Sequence, residues 1–376
     1  MDKENKIGNF QLTILSFFLT ISMTVGVCTR VIIERGKSFS WIGSIVSVII
    51  GLLVFLLFNY IHNKKDNLTL SELNEKIFGK ILGNIINLIS IIFSVMFFIF
   101  VLWSISSFFI SQFAVETPTI ALNLLFIIPV ILANIFGIES IARTFQLFFF
   151  ISIILIFSIY FGIIPLVHVN NLFPIFNANT KDIMSGILIE TSYTVLPLFL
   201  LFSIPTTQVN KSIKFNKSIF TGYLLGGINN ILVFLYPLLI FGYDLAVLAK
   251  CPAYAVLKKI KFFGFLDRLE NIFSMLKLLP VVALLIMLMY YIITSSKRIV
   301  KVKNKKIVNI FTILFSIALA FLSISPFKSQ VNGDNWFQNT GPFYIGIAFL
   351  LMPIITFIRL LFYKKIKSLH KIETDL

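Results

Sequence analysis

Apolar runs of 18 or more residues recur from one end of this chain to the other. A hydrocarbon core about 30 Å thick is crossed by roughly 20 helical residues, so each run is long enough to span a bilayer. Lipid offers no hydrogen bonds to backbone groups, and unbroken runs of this kind fold as helices. Composition agrees: 58% of residues are hydrophobic and only 13% charged, against roughly 25% charged in an average soluble domain. The expected fold class is an all-α polytopic membrane protein, a single transmembrane domain lying in the lipid bilayer.

Ten spans can be marked out, at about 12–31, 41–61, 85–115, 119–136, 144–164, 183–209, 219–241, 269–295, 307–324 and 342–362. Between the second and third, Thr69 and Glu72 have the spacing of a capping box that opens a short surface helix. GIESIAR, from Gly137 to Arg143, reads as a polar hinge before the fifth span. After the seventh, the segment 243–268 is neither a clean span nor a simple loop. Ten helices divide into five plus five, repeat 1 at about 10–165 and repeat 2 at about 181–363, with a basic tail at 364–376. An odd number of helices per repeat inverts the second copy.

The first helix of each half is interrupted. In the first span Thr20, Ser22, Met23, Thr24 and Gly26 bring hydroxyls and a glycine to mid-depth. Two readings are open there. Small residues let membrane helices pack closely, or the helix opens for a turn and offers backbone groups to a small solute, as in inverted-repeat transporters. In the sixth span, Ser192, Tyr193 and Thr194 precede Pro197, and a proline inside a helix removes a hydrogen bond. These two clusters occupy corresponding places, so they are expected to line one ligand pocket.

The formal net charge of +16 invites a nucleic-acid reading. Its placement points elsewhere. With the N-terminus inside, the heavier share of Lys and Arg falls in inside segments, above all KRIVKVKNKK at 297–306 and RLLFYKKIKSLHK at 359–371. That is the positive-inside bias, and it puts both termini on the cytoplasmic side. Cys28 and Cys251 offer no metal-ligand spacing, and His62, His168 and His370 lie far apart, so no metal, cofactor or catalytic constellation is expected.

Three stretches, FFISQFAVETPT, NIFGIESIARTFQLFFF and CPAYAVLKKIKFFGFLDRLENIF, together with the first span, resemble the endospore germination permeases. These are the B subunits of nutrient-germinant receptors, within the amino acid–polyamine–organocation superfamily. The resemblance covers essentially the whole chain. Gly137, Glu139 and Arg143 match the most characteristic piece, and Arg268 and Glu270 match the family's entry into helix 8. It implies a LeuT-like fold with helices 1 and 6 broken and a nutrient, such as an amino acid, bound between them. It also implies a membrane-anchored A subunit and a lipoprotein C subunit as partners in a spore inner membrane. A self-sufficient amino-acid or amine transporter is the alternative.

The chain departs from the family pattern around the implied pocket. Ser22 stands where a glycine is frequent and Thr29 where a proline is; Leu196-Pro197-Leu198 occupies the region expected to carry a glutamate. Lys277 replaces a tryptophan in helix 8. A helix starting near residue 269 would carry Lys277 toward the bilayer centre, where charge is costly and faces a cavity or a partner. It is expected to act as a fixed cation against the opened helix 1, or to pair with Glu270. Glu139 and Arg143, four apart, can pair on one helical face.

Overall fold

The computed structural model describes residues 6–24, 29–64, 68–210, 214–260, 274–302, 304–327 and 329–362. They are almost wholly helical. Nine of the described helical stretches are long and apolar enough to cross a membrane. The first helix, α1 (Asn9–Met23), is apolar but shorter. It is followed by α2 (Thr29–Gly36), and a 3-10 turn at Lys37–Phe39 leads into α3 (Ser40–Lys64). Residues 25–28, and with them Gly26 and the place of the expected break, lie outside the described residues. Thr29 Oγ1 donates to Thr24 O at 2.9 Å, joining the end of α1 to the start of α2.

The amphipathic α4 (Leu70–Phe78) opens with the expected capping box: Thr69 N donates to Glu72 Oε2 at 2.7 Å, and Glu72 N to Thr69 Oγ1 at 3.2 Å. Then come α5 (Lys80–Gln112), α6 (Thr119–Phe136) and α7 (Ile138–Ile163). GIESIAR is not a hinge throughout. Only Gly137 leaves the helix, at φ 92° and ψ 175°, a conformation essentially reserved for glycine. The rest forms the first turns of α7, where Arg143 pairs with Glu139.

The second half contains α8 (Thr180–Ser203), α9 (Phe215–Leu248), the short α10 (Pro252–Leu257), α11 (Met275–Val300), α12 (Lys305–Leu322) and α13 (Val331–Phe362). α13 carries two π turns, Trp336–Thr340 and Gly346–Leu351. The expected break in the sixth span is absent: α8 is one helix through Thr191–Thr194 and Pro197, and stops at Ser203, ahead of Pro205. Two of its hydroxyls explain why. Ser192 Oγ donates to Leu188 O and Thr194 Oγ1 to Thr191 O, at 2.8 and 2.9 Å, so they are satisfied by their own helix.

Buried around most of their girth, α8 and α11 form the centre, while α7 and α12 turn apolar side chains outward, as a lipid-facing helix does. The tightest crossing is α1 on α9. Gly222 and Gly226 of α9, four apart, let α1 come close. There Ser16 Oγ donates to Ile219 O at 2.9 Å, and Asn230 Nδ2 to Thr20 O at 3.1 Å. α3 packs on α8, α5 on α11 and α6 on α12. Asn123 ties three helices together, accepting from Ser106 Oγ at 2.6 Å and donating to Ala320 O and Ser323 Oγ.

At one end of the bundle, Arg298 near the end of α11 pairs with both Glu72 and Glu75 of α4. These groups are partly exposed, so their contribution to global stability is below about 1 kcal/mol. Their effect is local. Arg298→Gln is expected to leave the melting temperature within a few degrees of wild type while Leu70–Phe78 amides exchange hydrogen several-fold faster. Unchanged exchange in α4 would show that the helix is held by other contacts.

Candidate functional site

A cavity of about 110 Å³ lies among α1, α2, α7, α9, α10 and the start of α11. It has room for several waters, each needing about 10–15 Å³, and so for a small solute. Phe18 and Ile21 of α1 reach it, as do Thr29 and Arg30 of α2. Ser152 and Tyr160 come from α7, Asn229 from α9, and Lys250 and Cys251 from the connection into α10. Tyr160 donates its hydroxyl to Asn229 Oδ1 at 2.8 Å.

Two of these groups lack a protein partner. Ser152 is 1% exposed, and its hydroxyl has no hydrogen bond. Arg30 Nε is buried and likewise unbonded. A buried polar atom left without a partner costs about 1–3 kcal/mol, so both stand out in the packing around the cavity.

Lys277 also lines this cavity. α11 begins at Met275 behind Ser274, whose carbonyl accepts from Lys277 N at 3.0 Å. Lys277 lies in the first turn of α11, and the expected helix start near residue 269 lies outside the described residues. The ammonium sits 3.5 Å from the centroid of the Phe108 ring, and 3.6 Å from Cys251 Sγ. Arg268, Glu270 and therefore the alternative Lys277–Glu270 pair lie outside the described residues.

The residues singled out from the sequence are placed as follows. Thr20, Ser22, Met23 and Thr24 are all buried at the end of α1, but the cavity is lined by their neighbours Phe18 and Ile21. Thr20 Oγ1 donates to Ser16 O, and Ser22 Oγ to Leu19 O. Ser192, Tyr193, Thr194 and Pro197 sit on α8, which contributes nothing to the cavity lining among the described residues. Tyr193 instead stacks on Phe337 at 4.2 Å, and donates its hydroxyl to Phe337 O at 2.9 Å. Gly137, Glu139 and Arg143 form the α6–α7 corner, away from the cavity lining.

Sequence reading passes over one residue of weight, Glu190. It lies one turn before Thr194 on α8, 1% exposed, and accepts from Ser44 Oγ of α3 at 2.6 Å. Tyr223 and Ser47 are neighbours. No cation pairs with it among the described residues. The signal was a single acidic residue inside an apolar span, which marks a functional site by default.

Residues 6–331 match the model of the spore permease family, described as spore germination protein. Among curated proteins, the chain is 22% identical over 343 residues to spore germination protein KB of Bacillus subtilis (strain 168). The match covers 89% of this chain and 90% of that protein.

Proposed function

This chain belongs to the spore germination protein family, and from that membership we propose that it is the nutrient-binding B subunit of a germinant receptor. In this reading it binds a small nutrient within the membrane and passes the signal to an A subunit and a lipoprotein C subunit, rather than working alone as a transporter. The observation that carries the reading is the cavity of solute size lined from both α1 and α2, with Arg30, Ser152, Tyr160 and Asn229 among its wall residues. The membrane would be the spore inner membrane, with both termini on the core side.

The helix pairing supports a transporter-like ancestry of two inverted five-helix repeats. The first helix of one half, α1, packs on the second of the other, α9; the first of the other half, α8, packs on α3. Third pairs with third in α5 and α11, and fourth with fourth in α6 and α12. An inverted repeat produces that exchange of partners.

The test is direct binding. Purified full-length protein screened by calorimetry against amino acids, sugars and nucleosides is expected to bind at least one of them, and Thr24→Leu, at the end of α1, to weaken that binding at least tenfold. Proteoliposomes should then show no net uptake of the bound compound without partner subunits. Uptake at a catalytic rate would make the chain a transporter. Absence of binding across the whole panel would remove the reading.

A further inference from the structure

A second hollow, of about 540 Å³, lies at the end of the bundle where Arg298 meets α4. Residues of α4, the start of α5 and the end of α11 wall it. Arg298, Lys76, Lys80 and Lys301 line it, against two carboxylates, Glu72 and Glu75. Both carboxylates are engaged. Glu72 takes Arg298 and the Thr69 amide, and Glu75 takes Arg298. The three lysines are exposed, and none of them has an ion pair among the described residues. The lining therefore carries two more positive than negative charges. Such a cluster beside a membrane attracts anionic lipid.

What adjoins the hollow says which anion it suits. Directly after Lys80, α5 turns Ile81, Ile85, Leu88 and Ile92 outward, at 48–79% exposure. Steps of four, three and four residues place them in one stripe along the helix. Eleven residues at about 1.5 Å each give about 16 Å, close to half of a hydrocarbon core about 30 Å thick. A soluble anion or an acidic peptide has no use for that stripe, whereas a lipid acyl chain lies along it. We propose that the hollow holds the phosphate headgroup of an anionic phospholipid, with its chains against the Ile81–Ile92 stripe of α5. A net-neutral headgroup brings its own ammonium beside the phosphate and leaves the surplus charge in place. Phosphatidylglycerol is therefore preferred over phosphatidylcholine.

Delipidated full-length protein in detergent, titrated with each lipid and read by native mass spectrometry, provides the test. Phosphatidylglycerol is expected to bind at least tenfold more tightly than phosphatidylcholine. Lys76→Gln with Lys80→Gln should weaken phosphatidylglycerol at least fivefold and leave phosphatidylcholine unchanged. Lys305→Gln with Lys306→Gln removes the same charge from exposed positions of α12 that do not line the hollow, and should weaken it less than twofold. Unliganded melting temperatures verify that each variant is folded, and Lys301→Gln provides a second variant should the first pair not fold. Glycerophosphoglycerol, the same headgroup without chains, is expected not to compete at the lipid's own concentration. Equal affinity for the two lipids, or equal losses in the two double variants, would overturn the proposal. Competition by glycerophosphoglycerol would make the hollow a soluble-anion site, and competition by an oligoglutamate peptide a protein-docking site. Either result would overturn the lipid assignment.

Discussion

Gly222→Leu is expected to abolish recovery of folded protein. A Cβ at Gly222 would run into Thr13 O on the backbone of α1, and would stand 2.6 Å from Ser16 Cβ. A backbone carbonyl inside a helix cannot step aside as a side chain can. The α1–α9 crossing would have to widen, and the bonds from Ser16 to Ile219 O and from Asn230 to Thr20 O would stretch with it. Overpacking a core commonly costs about 1–3 kcal/mol. Collision with fixed backbone puts even Gly222→Ala at the top of that range, a large part of the roughly 5–15 kcal/mol that holds a protein together. Size-exclusion profiles and thermal melts in detergent are the measurement. Gly346→Ala is the control, since a Cβ there meets nothing within 4 Å. A Gly222→Leu protein with wild-type yield and melting temperature would show that the helices cross further apart than described.

The second large effect is expected at Glu190. Ala at this position removes the acceptor for Ser44 Oγ and leaves a buried hydroxyl stranded between α3 and α8. That alone costs about 1–3 kcal/mol, with a cavity term in addition. Gln keeps both the shape and an acceptor for Ser44. Glu190→Gln is therefore expected to melt within a few degrees of wild type, and Glu190→Ala well below it. The nutrient response should nevertheless fall severely in both, because a carboxyl group held deep inside a membrane bundle is retained for what it does. Germination dose–response curves beside thermal melts separate the two contributions. A normal curve in the Gln variant would make Glu190 a packing residue.

Whatever depended on one segment at a time was legible in the sequence. Each span shows in its own apolar run, α4 in the Thr69–Glu72 spacing, and the Glu139–Arg143 pair in a separation of four. Inference failed where two physical solutions share one residue pattern. Hydroxyls in an apolar helix suit a break, but they equally suit bonds to the preceding turn, and in α8 the second solution holds. The cavity itself draws on six segments scattered between Phe18 and Lys277. No spacing within any one of them announces that Arg30, Ser152 and Lys250 converge.

The two ends of α11 do different work. Its first turn brings Lys277 to the cavity wall, and its last turns carry the Arg298 pairs to α4. Twenty-six residues separate those ends at about 1.5 Å each, close to 40 Å of helix. Pro280 removes one hydrogen bond in its second turn, but beyond it the helix is buried around most of its girth, so its two ends are mechanically linked. A tilt or axial slip imposed at Lys277 would therefore arrive at α4 as a tug on its two glutamates. The surface helix would read occupancy of the cavity without any molecule having passed along the bundle.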